Sequence, residues 1–139
     1  MAGKRLGGSC LCGHATYDVA DAFDYALICH CSQCRRATGA AAKPFAGIAA
    51  HQLRLHYPDR VVRYGEGAGE DATAHDARCA RCGSLLYSLV REGAFVHITL
   101  GTLVDTPSIR PSAHIHVASM AEWEVIGDDL PRFPQLPPV

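Results

Sequence analysis

Apolar and polar positions alternate with a period of two along much of this chain, the pattern of a strand that buries one face and wets the other. Ala15-Tyr17-Val19, Leu53-Leu55-Tyr57, Val96-Ile98-Leu100 and Ile115-Val117 carry it most clearly. Turn-forming clusters separate these runs: Gly7-Gly8, Asp21, Pro58-Asp59, Gly65-Glu66-Gly67-Ala68-Gly69, Glu92-Gly93 and Asp105-Thr106-Pro107. Helical periodicity is weak, and the spacing predicts one short helical turn at about Ser32-Ala37. The expected fold class is therefore mostly β, a β-sheet domain with short helical turns. From Leu130 onward the chain is rich in proline, which has no N–H to give to a ladder, so residues at about 130–139 are expected as an extended strap on the surface.

Length and charge narrow the classes. A chain of 139 residues hides roughly 68% of its unfolded surface on folding, enough for the core of one domain spanning 1–139. The formal charge is -1 and the 13 basic residues are scattered, which argues against nucleic acid as a partner, because phosphate affinity comes from clustered Lys and Arg. The start, Met1 to Gly8, has two positive charges but no apolar run after them, so it does not read as a secretory signal. No run approaches the ~20 apolar residues that cross a bilayer, so no membrane partner and a cytoplasmic location are expected. Glycine-rich Gly65–Ala74 lacks the lysine and the helix of a phosphate loop and reads as a mobile hairpin loop.

The seven cysteines change the picture most. In a reducing compartment they stay thiols, and an odd number cannot all pair within one chain. They fall into three clusters, Cys10-x-Cys12-Gly13, Cys29-x-Cys31-x-x-Cys34 and Cys79-x-x-Cys82-Gly83, a metal-ligand pattern. Cys12 and Cys82 are each followed by glycine, which permits a positive φ and lets amide N–H groups turn back toward sulfur. These two knuckles are expected to close a structural four-sulfur zinc site of Cys10, Cys12, Cys79 and Cys82. Cys29, Cys31 and Cys34 are left as three ligands with one open position, which is what a catalytic zinc needs. Arg35 and Arg36 follow at once and supply cations that can stabilise thiolates or hold a substrate carboxylate. Two alternatives for the three thiols stand beside this: a second structural site completed by His30, or a redox role in which a disulfide forms when metal leaves. His97, His114 and His116 alternate with apolar neighbours, His114 and His116 on one strand face, and are expected as partnered strand residues rather than ligands.

The motifs Gly8-Ser9-Cys10-Leu11-Cys12-Gly13, Cys29-His30-Cys31-Ser32-Gln33-Cys34-Arg35-Arg36-Ala37-Thr38-Gly39-Ala40 and Cys79-Ala80-Arg81-Cys82-Gly83 together resemble the glutathione-dependent formaldehyde-activating enzyme (Gfa) family, also called the centromere protein V/Gfa domain. Leu100-Gly101-Thr102-Leu103, Pro111-x-x-His114-Ile115 and Trp123-x-x-Ile126-x-Asp128-Asp129-Leu130-Pro131 are similar to the family's closing segments. The resemblance implies an Mss4-like zinc-bound β fold, with a structural zinc on Cys10, Cys12, Cys79 and Cys82 and a labile, catalytic zinc on Cys29, Cys31 and Cys34. It further implies a carbon–sulfur lyase-type reaction of glutathione with formaldehyde, giving S-hydroxymethylglutathione. Arg35 and Arg36 would then bind the thiol cosubstrate through a carboxylate. A non-catalytic zinc scaffold that binds a thiol or a protein is the alternative.

Overall fold

The computed structural model describes residues 3–65 and 74–138. Along the chain run β1 (Arg5–Ser9), β2 (Thr16–Ala20), β3 (Tyr25–Cys29), α1 (Ser32–Thr38), β4 (Lys43–Ala49), β5 (Leu53–Leu55), β6 (Val61–Tyr64), β7 (His75–Cys79), β8 (Leu85–Val90), β9 (Phe95–Thr99) and β10 (His114–Ile115), with short 3-10 turns between them. The fold is mostly β, as the alternation predicts, and its cysteine knuckles fit an Mss4-like domain. A three-stranded sheet has the order β1-β2-β5, and a seven-stranded sheet has the order β10-β3-β4-β9-β8-β7-β6. All neighbours pair antiparallel except β10, which lies parallel to β3.

The period-two pattern decides what lies in the core. Leu6, Tyr17 and Val19 of the small sheet meet Ile48, Leu86, Val96 and Ile98 of the large one in a single buried cluster. Burying each such side chain contributes roughly 1.5–3 kcal/mol. On its other face the large sheet carries a polar row. Tyr25, Gly47, His97, Ser88 and Asp76 stand opposite one another across β3, β4, β9, β8 and β7. That face holds the candidate site.

Three local expectations give way. Gly7-Gly8 is not a turn but the middle of β1, where Gly8 faces Tyr17 across the ladder. The phenol ring occupies the space a side chain would need, since a Cβ on Gly8 would lie 2.0 Å from Tyr17 Cζ. The run Ile115-Val117 does not continue as a strand, because His116 takes a φ of 56° and a 3-10 turn follows over Val117–Ser119. His114 and His116 therefore do not share a strand face. Likewise β5 ends at Leu55, and Tyr57 instead stacks under the Arg60 guanidinium at 3.8 Å. The glycine-rich loop expected between Gly65 and Ala74 lies, over 66–73, outside the described residues.

The proline-rich tail runs alongside residues 114–118. Pro131 and Pro134 accept from the N–H groups of His114 and Ala118, at 2.9 and 3.2 Å, and Phe133 N–H donates to His114 O at 2.9 Å. Prolines serve here because only their carbonyls are needed.

Candidate functional site

The two glycine-ended knuckles meet at one point. Cys10 and Cys12 lie in the β1–β2 connection, Cys79 ends β7 and Cys82 lies in the β7–β8 connection, and their four sulfurs lie within 4.8 Å of one another. Cys10 Sγ is 3.6 Å from Cys12 Sγ, and Cys12 Sγ is 3.8 Å from Cys79 Sγ. A tetrahedron with zinc–sulfur bonds of about 2.3 Å has edges of about 3.8 Å, so the donor set fits zinc. The glycines behave as their position requires: Gly13 has a φ of 82° and Gly83 a φ of 80°. Amide groups turn toward sulfur, with Ala15 N–H donating to Cys10 Sγ at 3.2 Å and Arg81 N–H to Cys79 Sγ at 3.3 Å. Ser84 joins the knuckles: its Oγ accepts from Leu11 N–H at 3.0 Å and lies 3.2 Å from Cys82 Sγ. That hydroxyl contact is the first cause holding the Cys82 thiol down at about 5.

The three remaining sulfurs converge separately. Cys29 ends β3, Cys31 caps α1 and Cys34 lies one turn into it, all three within 4.8 Å of one another. The cap is itself a sulfur contact, since Cys34 N–H donates to Cys31 Sγ at 3.2 Å. α1 stops at Gly39, whose left-handed conformation (φ 71°) lets its N–H reach Arg35 O at 2.7 Å. A hydrogen bond from the Cys34 thiol draws Cys29 down to about 5 despite burial. The same contact, together with burial, holds Cys34 well above the ordinary thiol range. Cys29 thus yields its proton easily while Cys34 retains its own, the behaviour of thiols crowded as a cation's ligands are.

Two cavities of about 230 Å³ each adjoin this cluster, and both are lined by Cys34, Lys43 and His97. One opens toward Asp76, Ser88 and Gln33. The other is walled by Tyr25, Phe45, Arg91 and His116 and also reaches Cys29. The Tyr25 hydroxyl pairs with His97 Nε2 at 2.7 Å, and the His97 ring stacks on Phe45 with centroids 4.2 Å apart. Burial, with Lys43 and Arg91 nearby, pushes His97 down to about 4, so it is neutral at physiological pH. Arg91 takes a left-handed φ of 52° and lays its guanidinium over Phe95, 4.6 Å from the ring centroid.

His30 does not join the thiols. It is 1% exposed, and its Nε2 pairs with His114 Nδ1 at 2.7 Å while His114 Nε2 donates to the Asp128 carboxylate at 2.9 Å. The cluster of possible metal donors formed by Cys29, Cys31 and Cys34 does not include it. Arg35 is half-buried with Nε lacking a hydrogen-bond partner, and Arg36 is exposed with Nε donating to Ser32 O at 3.3 Å. Neither lines the two cavities; the cations that do are Lys43 and Arg91. Sequence reading passed over Lys43, Ser88, Asp76, Tyr25 and Arg91. For Asp76 and Ser88 the available signal was a polar residue beside a buried one, Ala77 and Tyr87 respectively, but register alone brings the five together.

The family model for the glutathione-dependent formaldehyde-activating enzyme matches residues 5–119. The chain belongs to this family. The Gfa match takes in both sulfur clusters, so the metal-donor geometry lies inside the family's common region. Comparison with curated proteins finds no match. Among solved structures, the Gfa chain is similar to a Rhodobacter sphaeroides protein determined as a structural-genomics target. The two share 24% identity and a TM-score of 0.57, over 74% of this chain and 92% of that one. That likeness is one of fold. No helix among the described residues is long and apolar enough to cross a membrane.

Proposed function

We propose that this chain is a cytoplasmic zinc enzyme that forms and cleaves the carbon–sulfur bond between a small thiol and a small aldehyde, with glutathione and formaldehyde as the pair. The observation that carries this reading is the contrast between the two sulfur clusters. Four sulfurs close on one another away from the cavities, whereas Cys29 and Cys34 stand in a cavity wall with only three sulfurs in their group. A closed four-sulfur set is structural chemistry, and an open three-ligand set is catalytic chemistry.

In this reading Cys10, Cys12, Cys79 and Cys82 hold the structural ion, and Cys29, Cys31 and Cys34 hold the working one. Zinc held there by Cys29, Cys31 and Cys34 would lower the pKa of a thiol in the open position and so supply a nucleophile at neutral pH. The remaining work belongs to side chains of this chain. Tyr25 and Phe45 give the cavity an apolar wall that excludes water from the adduct. Arg91 at the same wall binds a carboxylate of the thiol, a charge-assisted contact of about 1.5–3 kcal/mol. Arg35 and Arg36, on the helix that carries Cys34, take the second carboxylate that glutathione offers.

The test is metal counting followed by exchange kinetics between formaldehyde, glutathione and their adduct, read above the spontaneous rate. Wild type should carry two zinc ions and accelerate exchange. Cys34→Ser should keep one and lose the acceleration. An exchange rate unchanged at saturating wild-type protein ends the enzyme reading and leaves a zinc scaffold.

A further inference from the structure

Lys43 is the only lysine or arginine that is buried among the described residues, at 5% exposure. It begins β4 directly across the ladder from Cys29. A buried ammonium needs a reason, because desolvating a charge costs several kcal/mol unless partners replace the water. Here the partners form a directed chain. Lys43 Nζ donates to Ser88 Oγ at 2.8 Å, and Ser88 Oγ donates to Asp76 Oδ1 at 2.6 Å. The carboxylate can only accept, so it fixes the direction: the Ser88 hydrogen goes to Asp76, and the Ser88 lone pair faces Lys43. An ammonium carries three N–H groups. One is used by Ser88, and the other two have no hydrogen-bonded protein partner among the described residues. Both cavities that Lys43 lines are also lined by Cys34.

From this geometry we infer that Lys43 is a catalytic residue whose free N–H groups receive the aldehyde oxygen, with Ser88 and Asp76 as positioning residues. The inference deepens the proposed function and rests on it for the identity of the reaction. The thiol gives its proton to water, and the sulfur lone pair attacks the carbonyl carbon to form the C–S bond. The C=O π pair moves to oxygen, which takes a proton from Lys43 Nζ to become hydroxyl, and water returns a proton to the amine. Charge develops on oxygen where a fixed donor already stands, the condition under which such a donor acts most strongly. Ser88 and Asp76 keep the amine from swinging toward the sulfurs.

Formate serves as probe, since it presents carbonyl-type oxygen without reacting. Its binding to the zinc-loaded protein is followed by NMR titration at neutral pH, alongside zinc content and the split between kcat and KM. Lys43→Met keeps an unbranched apolar stem and removes the donors. It should weaken formate at least about tenfold and lower kcat by roughly 10²–10³, with zinc content and KM for the thiol unchanged. Lys43→Arg should recover part of both. Equal formate binding in wild type and Lys43→Met, or no saturable binding in wild type, overturns the inference. If Lys43→Met does not fold, Ser88→Ala decides: weaker formate binding supports the inference and unchanged binding sinks it. Lys43-dependent formate binding in a wild type that does not accelerate exchange retires the reaction and the catalytic role with it, leaving Lys43 as an anion-binding residue.

Discussion

Two glycines show how a missing side chain positions a present one. Gly8 lies beneath Tyr17 and Gly47 beneath Tyr25, each pair directly opposed in an antiparallel ladder. A Cβ on Gly47 would come within 2.2 Å of Tyr25 Cζ, so Gly47→Ala must push the phenol off the row and break its bond to His97. Overpacking of this kind costs about 1–3 kcal/mol, measurable by denaturant unfolding. Gly8→Ala should cost as much without touching the cavity, so only Gly47→Ala should also raise KM for the thiol. His97 gives a pH signature. Its folded pKa of about 4 lies below the unfolded value of about 6.5. Between those values the unfolded chain binds a proton that the folded chain refuses. Stability is therefore full above about pH 6.5 and declines toward pH 4, by on the order of 3 kcal/mol for this group. His97→Gln should flatten that part of the stability curve, and an unchanged slope would show that His97 is not its source.

At the scale of elements, what could be read from the sequence was what is local. The glycine after each second knuckle cysteine announced a left-handed turn, and Gly13 and Gly83 make it. The helical turn predicted at Ser32-Ala37 is α1, and the alternation at Val96-Ile98 is β9. Lys43, Ser88 and Asp76 were not legible, because they come from β4, β8 and β7, and nothing in each strand states which row it will share. His116 was misread for a related reason: a left-handed histidine looks like a strand residue until the tail supplies Gln135 O as acceptor for its N–H, at 3.0 Å. The tail also seals the edge of β10, and Phe133 packs with Cys29, Phe45 and Ile115. Phe133→Ser should therefore leave the metal content of the four-sulfur set unchanged while raising the alkylation rate of the three-cysteine cluster once that cluster alone is stripped of metal, read by mass spectrometry. Equal rates would mean that the tail does not shield it. Arg78 links the two centres physically, donating to Gly83 O beside one knuckle and to Ala37 O in α1.

For the whole molecule, the two sulfur clusters should fail in different ways. Cys79→Ala opens the clamp between the two sheets. Structural zinc sites supply roughly 10–16 kcal/mol in zinc-finger peptides, comparable to a domain's entire stability. The variant should be insoluble or unfolded, and a folded product still carrying both zinc ions would refute the pairing. Cys34→Ser should stay folded, because Phe45, Ile115 and the tail hold that region without it. The clamp also bears on how the chain reaches its fold. Each half of the four-sulfur set lies at the turn between two sequence-adjacent, paired strands, β1–β2 and β7–β8, and each can form early without the other. A newly made chain then presents two chelating arms, and nothing in the arms themselves distinguishes its own partner from a neighbour's. Where metal is scarce and chains are crowded, one ion can bridge arms of different molecules, so refolding yield should fall with protein concentration and recover when zinc is supplied before the chains meet.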